Sequence, residues 1–246
     1  MADYPLQSQV SLSMKAARTT RPDIRAGAGL RPGAAIVNAR GTPGTLGAFA
    51  VTRHGRTLVL LSSHHVLFGG GAASGEPVWL GSAMTGRQRV ATTLYGKLGV
   101  LRCGDGECYV DCAVAAIDNA QLIGAETGSL VNMATDSQRG VVGDRVTKMG
   151  PVTGWTDGVI LADAYDDTAI IDCRRSPAPR QLVIRSTSEQ TPFSVGGESG
   201  AIVLDGDGRA VGLVWGTTAR GDAVACPIGP VLDVLGIDLV DGHDRA

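Results

Sequence analysis

The chain has 246 residues, 43% of them apolar, which is enough to bury the core of one large domain or two small ones. A net charge of −2, with no basic run, argues against nucleic acid or an anionic membrane as the main partner. The 35 glycines and an aromatic fraction of 4% point to many turns and few long helices.

The start, "MADYPLQSQVSLSMKAARTT", has no apolar segment behind a basic head, and no window reaches membrane-span length. The expected location is therefore cytoplasmic, although a trimmed secreted form would read the same. Residues 1–40, which include "RPDIRAGAGLRPG", read as an N-terminal extension, with a weak helix signal over 8–18. Short apolar runs punctuated by Gly, Asp and Pro then predict strands at 46–51, 57–62 and 109–117, and at 144–150, 158–165 and 168–173. Further strands are predicted at 181–187, 201–205 and 209–216, with "DGDG" (205–208) as a hairpin turn between the last two. "IGPVLDVLGI" (228–237) is the one strong helix signal, with Pro230 early and Gly236 as the stop. The expected fold is all-β, with two closed antiparallel barrels over 41–125 and 126–246, which leave no strand edge exposed.

Five cysteines cannot all pair within the chain. Cys103, Cys108 and Cys112 cluster in "CGDGECYVDC". The preferred reading is reduced structural thiols, and a Cys103–Cys108 bridge or a metal site are the alternatives. A zinc site would want a fourth ligand and tighter Cys pairs.

In "SVGGESGAIVLD", Ser199 sits between glycines ahead of an apolar strand. Such a serine either shapes a turn or presents a hydroxyl for chemistry, and the chemistry needs a base and a group that orients it. His54 lies in a turn and His243 in a polar tail. "LSSHHVLF" remains, an apolar strand ending in His64 and His65, of which one can face a given site. Asp111, in "YVDCAVAAI", is costly to bury unless its carboxylate is hydrogen-bonded, either by an imidazole or by backbone N–H groups at a strand start. An α/β-hydrolase esterase is disfavoured, because Gly-x-Ser-x-Gly is absent and the histidine precedes the serine.

With "LSSHHV", "DCAVAAI", "GESGAIV" and "LVWG" in this order, residues 40–237 resemble the chymotrypsin/trypsin-like serine peptidases. The resemblance implies two Greek-key β-barrels with the active site in the cleft between them and a C-terminal helix. The first barrel would supply His65 as base and Asp111 as its orienting acid, and the second Ser199 as nucleophile. The backbone N–H groups of Gly197 and Ser199 would form the oxyanion hole. Phe193, Val214, Trp215 and Gly216 would bind substrate, and an aromatic Phe193 at the pocket base implies small or apolar side chains before the cut bond. Proteins or peptides are the implied substrates, with no cofactor and no metal. "LRPG", "PGTLGAF", "VTKMGPVTGWTDG" and "PIGPVLDVL" are similar to a bacterial and plant trypsin-like group that includes the plant narrow-leaf protein. Glu198 replaces that family's usual Asp, and no Ile-Val-Gly-Gly activation sequence is visible, so Glu198 is expected to find an internal partner. The alternatives are a catalytically silent relative that binds peptides in its cleft and a latent protease governed by the N-terminal segment.

Overall fold

The computed structural model describes residues 30–81, 88–104, 106–120, 123, 137–171 and 174–240. The helix expected over 8–18 lies outside them. Among the described residues, fourteen strands form two antiparallel sheets. The first has eight strands in the order β14-β3-β4-β7-β6-β5-β1-β2. These are β1 (Ala35–Val37), β2 (Pro43–Thr45), β3 (Ala48–Thr52), β4 (Leu58–Ser62), β5 (Pro77–Leu80), β6 (Gln88–Cys103), β7 (Gly106–Ile117) and β14 (Ile237–Leu239). The second is a closed barrel of β8 (Arg145–Gly150), β9 (Gly154–Ile171), β10 (Arg174–Ser186), β11 (Ile202–Leu204), β12 (Ala210–Thr217) and β13 (Ala223–Pro227). The two sheets match the chymotrypsin-like double-barrel fold. Among the described residues no helix is long and apolar enough to cross a membrane.

The predicted strands at 46–51 and 57–62 are β3 and β4, and "DGDG" turns β11 into β12, with the Asp205 N–H bonded to the Arg209 carbonyl. Residues 158–165 and 168–173 were expected as two strands, but β9 runs unbroken through Asp166 and Asp167. Asp167 pairs with Ala178 of β10, and the register shifts at Asp166, so the strand passes the two aspartates through an irregularity in the ribbon rather than a break. Leu30 and Ile36, inside the segment expected to be an extension, are buried in the first barrel's core with Phe49, Leu60 and Val66.

Two further differences are local. His64 and His65 do not close a strand: β4 stops at Ser62, and His64–Leu67 form one helical turn, α1. Cys103 and Cys108, expected as thiols, are joined as a disulfide. The tight β6–β7 hairpin brings their Cα atoms to 5.8 Å, inside the range a disulfide spans. Cys112 and Cys226 are free and buried, and burial raises both thiol pKa values.

Among the described residues, three apolar clusters hold these elements. One fills the first sheet and one, with Ile160, Leu182 and Val214, fills the second barrel. The third joins them, with Tyr109 and Cys112 of β7, Trp215 of β12, and Val231 and Leu235 of α2 (Ile228–Leu235). The site lies along this junction.

Candidate active site

Asp111 sits on β7, whose residues from Cys108 to Ala115 are all buried. Its carboxylate has no contact with water, and His65 satisfies it twice. The His65 backbone N–H donates to Oδ1 at 3.0 Å, and ring Nδ1 lies 2.5 Å from Oδ2. A carboxylate can only accept, so Nδ1 carries the hydrogen and the lone pair falls on Nε2. The helical turn at His64–Leu67 makes this two-point grip feasible, because it aims the backbone N–H and the ring of one residue the same way. His64 turns aside and stacks on Phe68, with ring centroids 4.9 Å apart.

Ser199 lies in the loop between β10 and β11. Its hydroxyl leans towards the Trp215 carbonyl at 3.4 Å, and its own carbonyl accepts the Thr45 N–H at 2.9 Å. The next residue, Gly200, has φ +93, and a Cβ there would collide with Ser62 Oγ and the Thr45 carbonyl oxygen. This side-chain-free approach seats the serine loop against Ser62 and Ser63, directly before the histidine pair. Ser63 Oγ donates across the same seam to the Val214 carbonyl at 3.1 Å.

The loop from Val195 to Ser199 is tied at almost every peptide. The Glu198 N–H bonds to the Val195 carbonyl, and Thr45 Oγ donates to the Gly197 carbonyl at 3.0 Å. Gly197 sits at φ +91, a conformation that favours glycine. Among the described residues, the N–H groups of Gly197 and Ser199 donate to no protein acceptor. Two unspent donors either side of Glu198, on a fixed loop, can bind an oxyanion if they converge.

Glu198 has the internal partner expected of it. Lys148 Nζ lies 2.7 Å from Glu198 Oε2, and both side chains are fully buried. The carboxylate also accepts the N–H groups of Val195, Val152 and Thr153 and the Thr153 hydroxyl. Burial alone would raise the Glu198 pKa, but the bonds from Lys148 and the Thr153 backbone outweigh it and hold the carboxyl below its ordinary value. Burial lowers the Lys148 pKa, and the carboxylate partly offsets that. We take the pair as charged, because five donors surround the anion.

Phe193 is packed inside the second barrel beside Ile184 and Gly158, and its carbonyl accepts Thr156 Oγ at 2.7 Å. Val214 and Trp215 are nearly buried, and the β12–β13 register shifts between Val214 and Gly216. Thr45, Lys148 and Gln181 were not singled out by the sequence. None left a local signal: Lys148 shares β8 with the exposed Arg145 and half-buried Thr147, as a solvated lysine would.

No protein-family model and no curated protein matches the chain. Solved structures do. Thermobifida fusca protease A is 18% identical with a TM-score of 0.56, over 86% of this chain and 98% of that one. An alpha-lytic protease homolog, N4, is 22% identical with a TM-score of 0.56, over 85% and 98%. A glutamic-acid-specific serine protease, described as using a histidine triad in substrate binding, is 20% identical with a TM-score of 0.57, over 85% and 100%. The chain has the chymotrypsin-like serine-protease fold.

Proposed function

We propose that the protein is a serine endopeptidase, with Ser199 as nucleophile, His65 as general base and Asp111 as the group that orients it. The observation that carries this is the buried Asp111 carboxylate gripping His65 through both its backbone N–H and Nδ1. Nothing structural requires a buried acid to fix one tautomer of a partly exposed imidazole.

In this mechanism His65 Nε2 takes the Ser199 proton as Oγ attacks the carbonyl carbon of the scissile bond. The Gly197 and Ser199 N–H groups receive the developing oxyanion, and Asp111 stabilises the imidazolium. The imidazolium then protonates the leaving amine, and the acyl-enzyme is hydrolysed by water with the same residues in the same roles. The oxyanion donors are worth roughly 3–4 kcal/mol each in comparable sites. Because Glu198 is already neutralised by Lys148, the loop needs no new N-terminal amine, and the protein works without a trypsin-type activation cut. Phe193 supplies no charge, so the residue before the cut bond is small or apolar.

A fluorophosphonate probe tests this. Wild type is expected to label at Ser199, Ser199→Ala not at all, and His65→Ala about a thousandfold more slowly or worse. A wild type that resists labelling and cleaves no peptide would make the cleft a binding site instead. A strong preference for Arg or Lys before the cut would overturn the pocket assignment.

A further inference from the structure

Gln181 is fully buried, and its amide joins three segments. Oε1 accepts the Trp215 indole N–H at 2.7 Å, and Nε2 donates to the Tyr109 carbonyl at 3.0 Å and the Pro179 carbonyl at 2.9 Å. Tyr109 belongs to the first barrel, two residues before Asp111 and so on the same side of β7. Its ring packs against Trp215, with centroids 5.3 Å apart at 54°. The indole is thus held by a hydrogen bond at its nitrogen and by an aromatic ring from the opposite barrel.

The backbone is distorted where Gln181 enters. The β9–β10 register shifts on both sides of it, between Ala178 and Gln181 and again before Val183. Arg180 sits at φ +57, a left-handed conformation that residues with a Cβ seldom adopt. The distortion sends Arg180 outward, where its guanidinium lies over Gly106 at the tip of the β6–β7 hairpin, and turns Gln181 inward. Bulges beside active sites commonly re-aim a side chain, and strain persists where the surroundings over-determine it. Here the re-aimed group is the amide that Trp215 bonds.

We propose that Gln181 is a positioning residue for substrate selection: it fixes the Trp215 indole, and through it the wall met by the residues preceding the one at the cut bond. The proposal rests on the peptidase reading above. The Trp215 carbonyl is 3.4 Å from Ser199 Oγ, so this strand borders the reacting bond. The indole leans to the first barrel, whereas Phe193 lies inside the second, so Trp215 and Phe193 act on different substrate positions. Trp215 is 9% exposed, so little of the residue reaches solvent, which suits a narrow contact with a peptide side chain.

Peptide-library profiling with kcat and KM tests this on Gln181→Met, which keeps volume and loses the amide, and on Trp215→Phe, which keeps a ring and loses the N–H. Each is expected to flatten selectivity at the positions before the cut residue by about fivefold, the factor set by one neutral hydrogen bond. KM should rise more than kcat falls, and preference at the cut residue itself should stay. The double variant should be no worse than the worse single, since both remove one interaction. A Gln181→Met protein that labels with fluorophosphonate and keeps the wild-type profile overturns this assignment alone, as do effects that simply multiply in the double. If Gln181→Met does not fold, an unchanged profile in Trp215→Phe is the refutation. A wild type that neither labels nor cleaves overturns the peptidase reading and this one with it.

Discussion

The Lys148–Glu198 pair gives a prediction whose size and pH dependence both follow from its surroundings. Lys148→Met removes the cation and leaves a fully buried carboxylate. Breaking a buried pair in this way typically costs 3–5 kcal/mol. Three backbone N–H groups and the Thr153 hydroxyl still bond Glu198, so the lower end applies, about 3 kcal/mol. For a chain of this size that is a fall in Tm of roughly 6–12 °C. In wild type the Glu198 pKa is depressed in the folded state, so its contribution is present above the unfolded carboxylate value and lost as pH falls through the folded one. In the variant the unpaired buried carboxylate is raised instead, so protonation relieves it. Denaturant unfolding of the two proteins should therefore show a deficit near 3 kcal/mol at pH 7 that starts to shrink as pH falls through the variant's raised carboxyl value and shrinks further below about pH 4, where wild type loses its own share. Ser199 labelling at pH 7 should slow about tenfold or more, because Glu198 also anchors the Val195 N–H and hence the loop. A deficit under about 1 kcal/mol, or one independent of pH, would refute the charged-pair argument.

Thr45→Val removes the hydroxyl that donates to the Gly197 carbonyl and should lower kcat about fivefold with little change in KM, while Thr45→Ser restores it; steady-state kinetics on a peptide ester read both. Gly200→Ala places a Cβ against Ser62 Oγ and the Thr45 carbonyl at a positive φ, so it should cost several kcal/mol by thermal unfolding and abolish labelling. The Cys103–Cys108 bridge closes only a short loop, so removing it as Cys103→Ser/Cys108→Ser should cost about 2 kcal/mol in denaturant unfolding. Alkylation with mass analysis should find that pair unmodified, which is the state expected in an oxidising compartment rather than the reducing cytoplasm.

What could be read in advance divides by the kind of information that carries it. β3, β4 and β11 were legible because runs such as "TLVLLS" are buried on both faces and read as unbroken apolar stretches. β6 was not: "QRVATTLYGKLGVLRC" is largely exposed beyond Leu94, and its strand character comes from pairing with β7, residue for residue from Tyr95 to Cys103. His65, Asp111 and Ser199 each sit in a short motif, so local sequence singled them out, and the structure joins the first two through hydrogen bonds that span 46 residues.

The groups that hold the candidate site were silent for a physical reason. Thr45 reaches Gly197 across 152 residues, Lys148 reaches Glu198 across 50, and Trp215 reaches Gln181 across 34. None of these pairings has a local sequence cost that would betray it. A lysine between Thr147 and Met149 reads as the solvated edge of a strand, because an isolated ammonium belongs in water. Closure of the second barrel removes that water and brings the carboxylate of Glu198 into its place. The same closure aims the Glu198 peptide so that its neighbours' N–H groups stay unspent. The lysine and the serine loop therefore constrain each other, and a substitution at Lys148 should be felt at Ser199 although the lysine bonds Glu198 and Thr153 and the serine hydroxyl leans to Trp215.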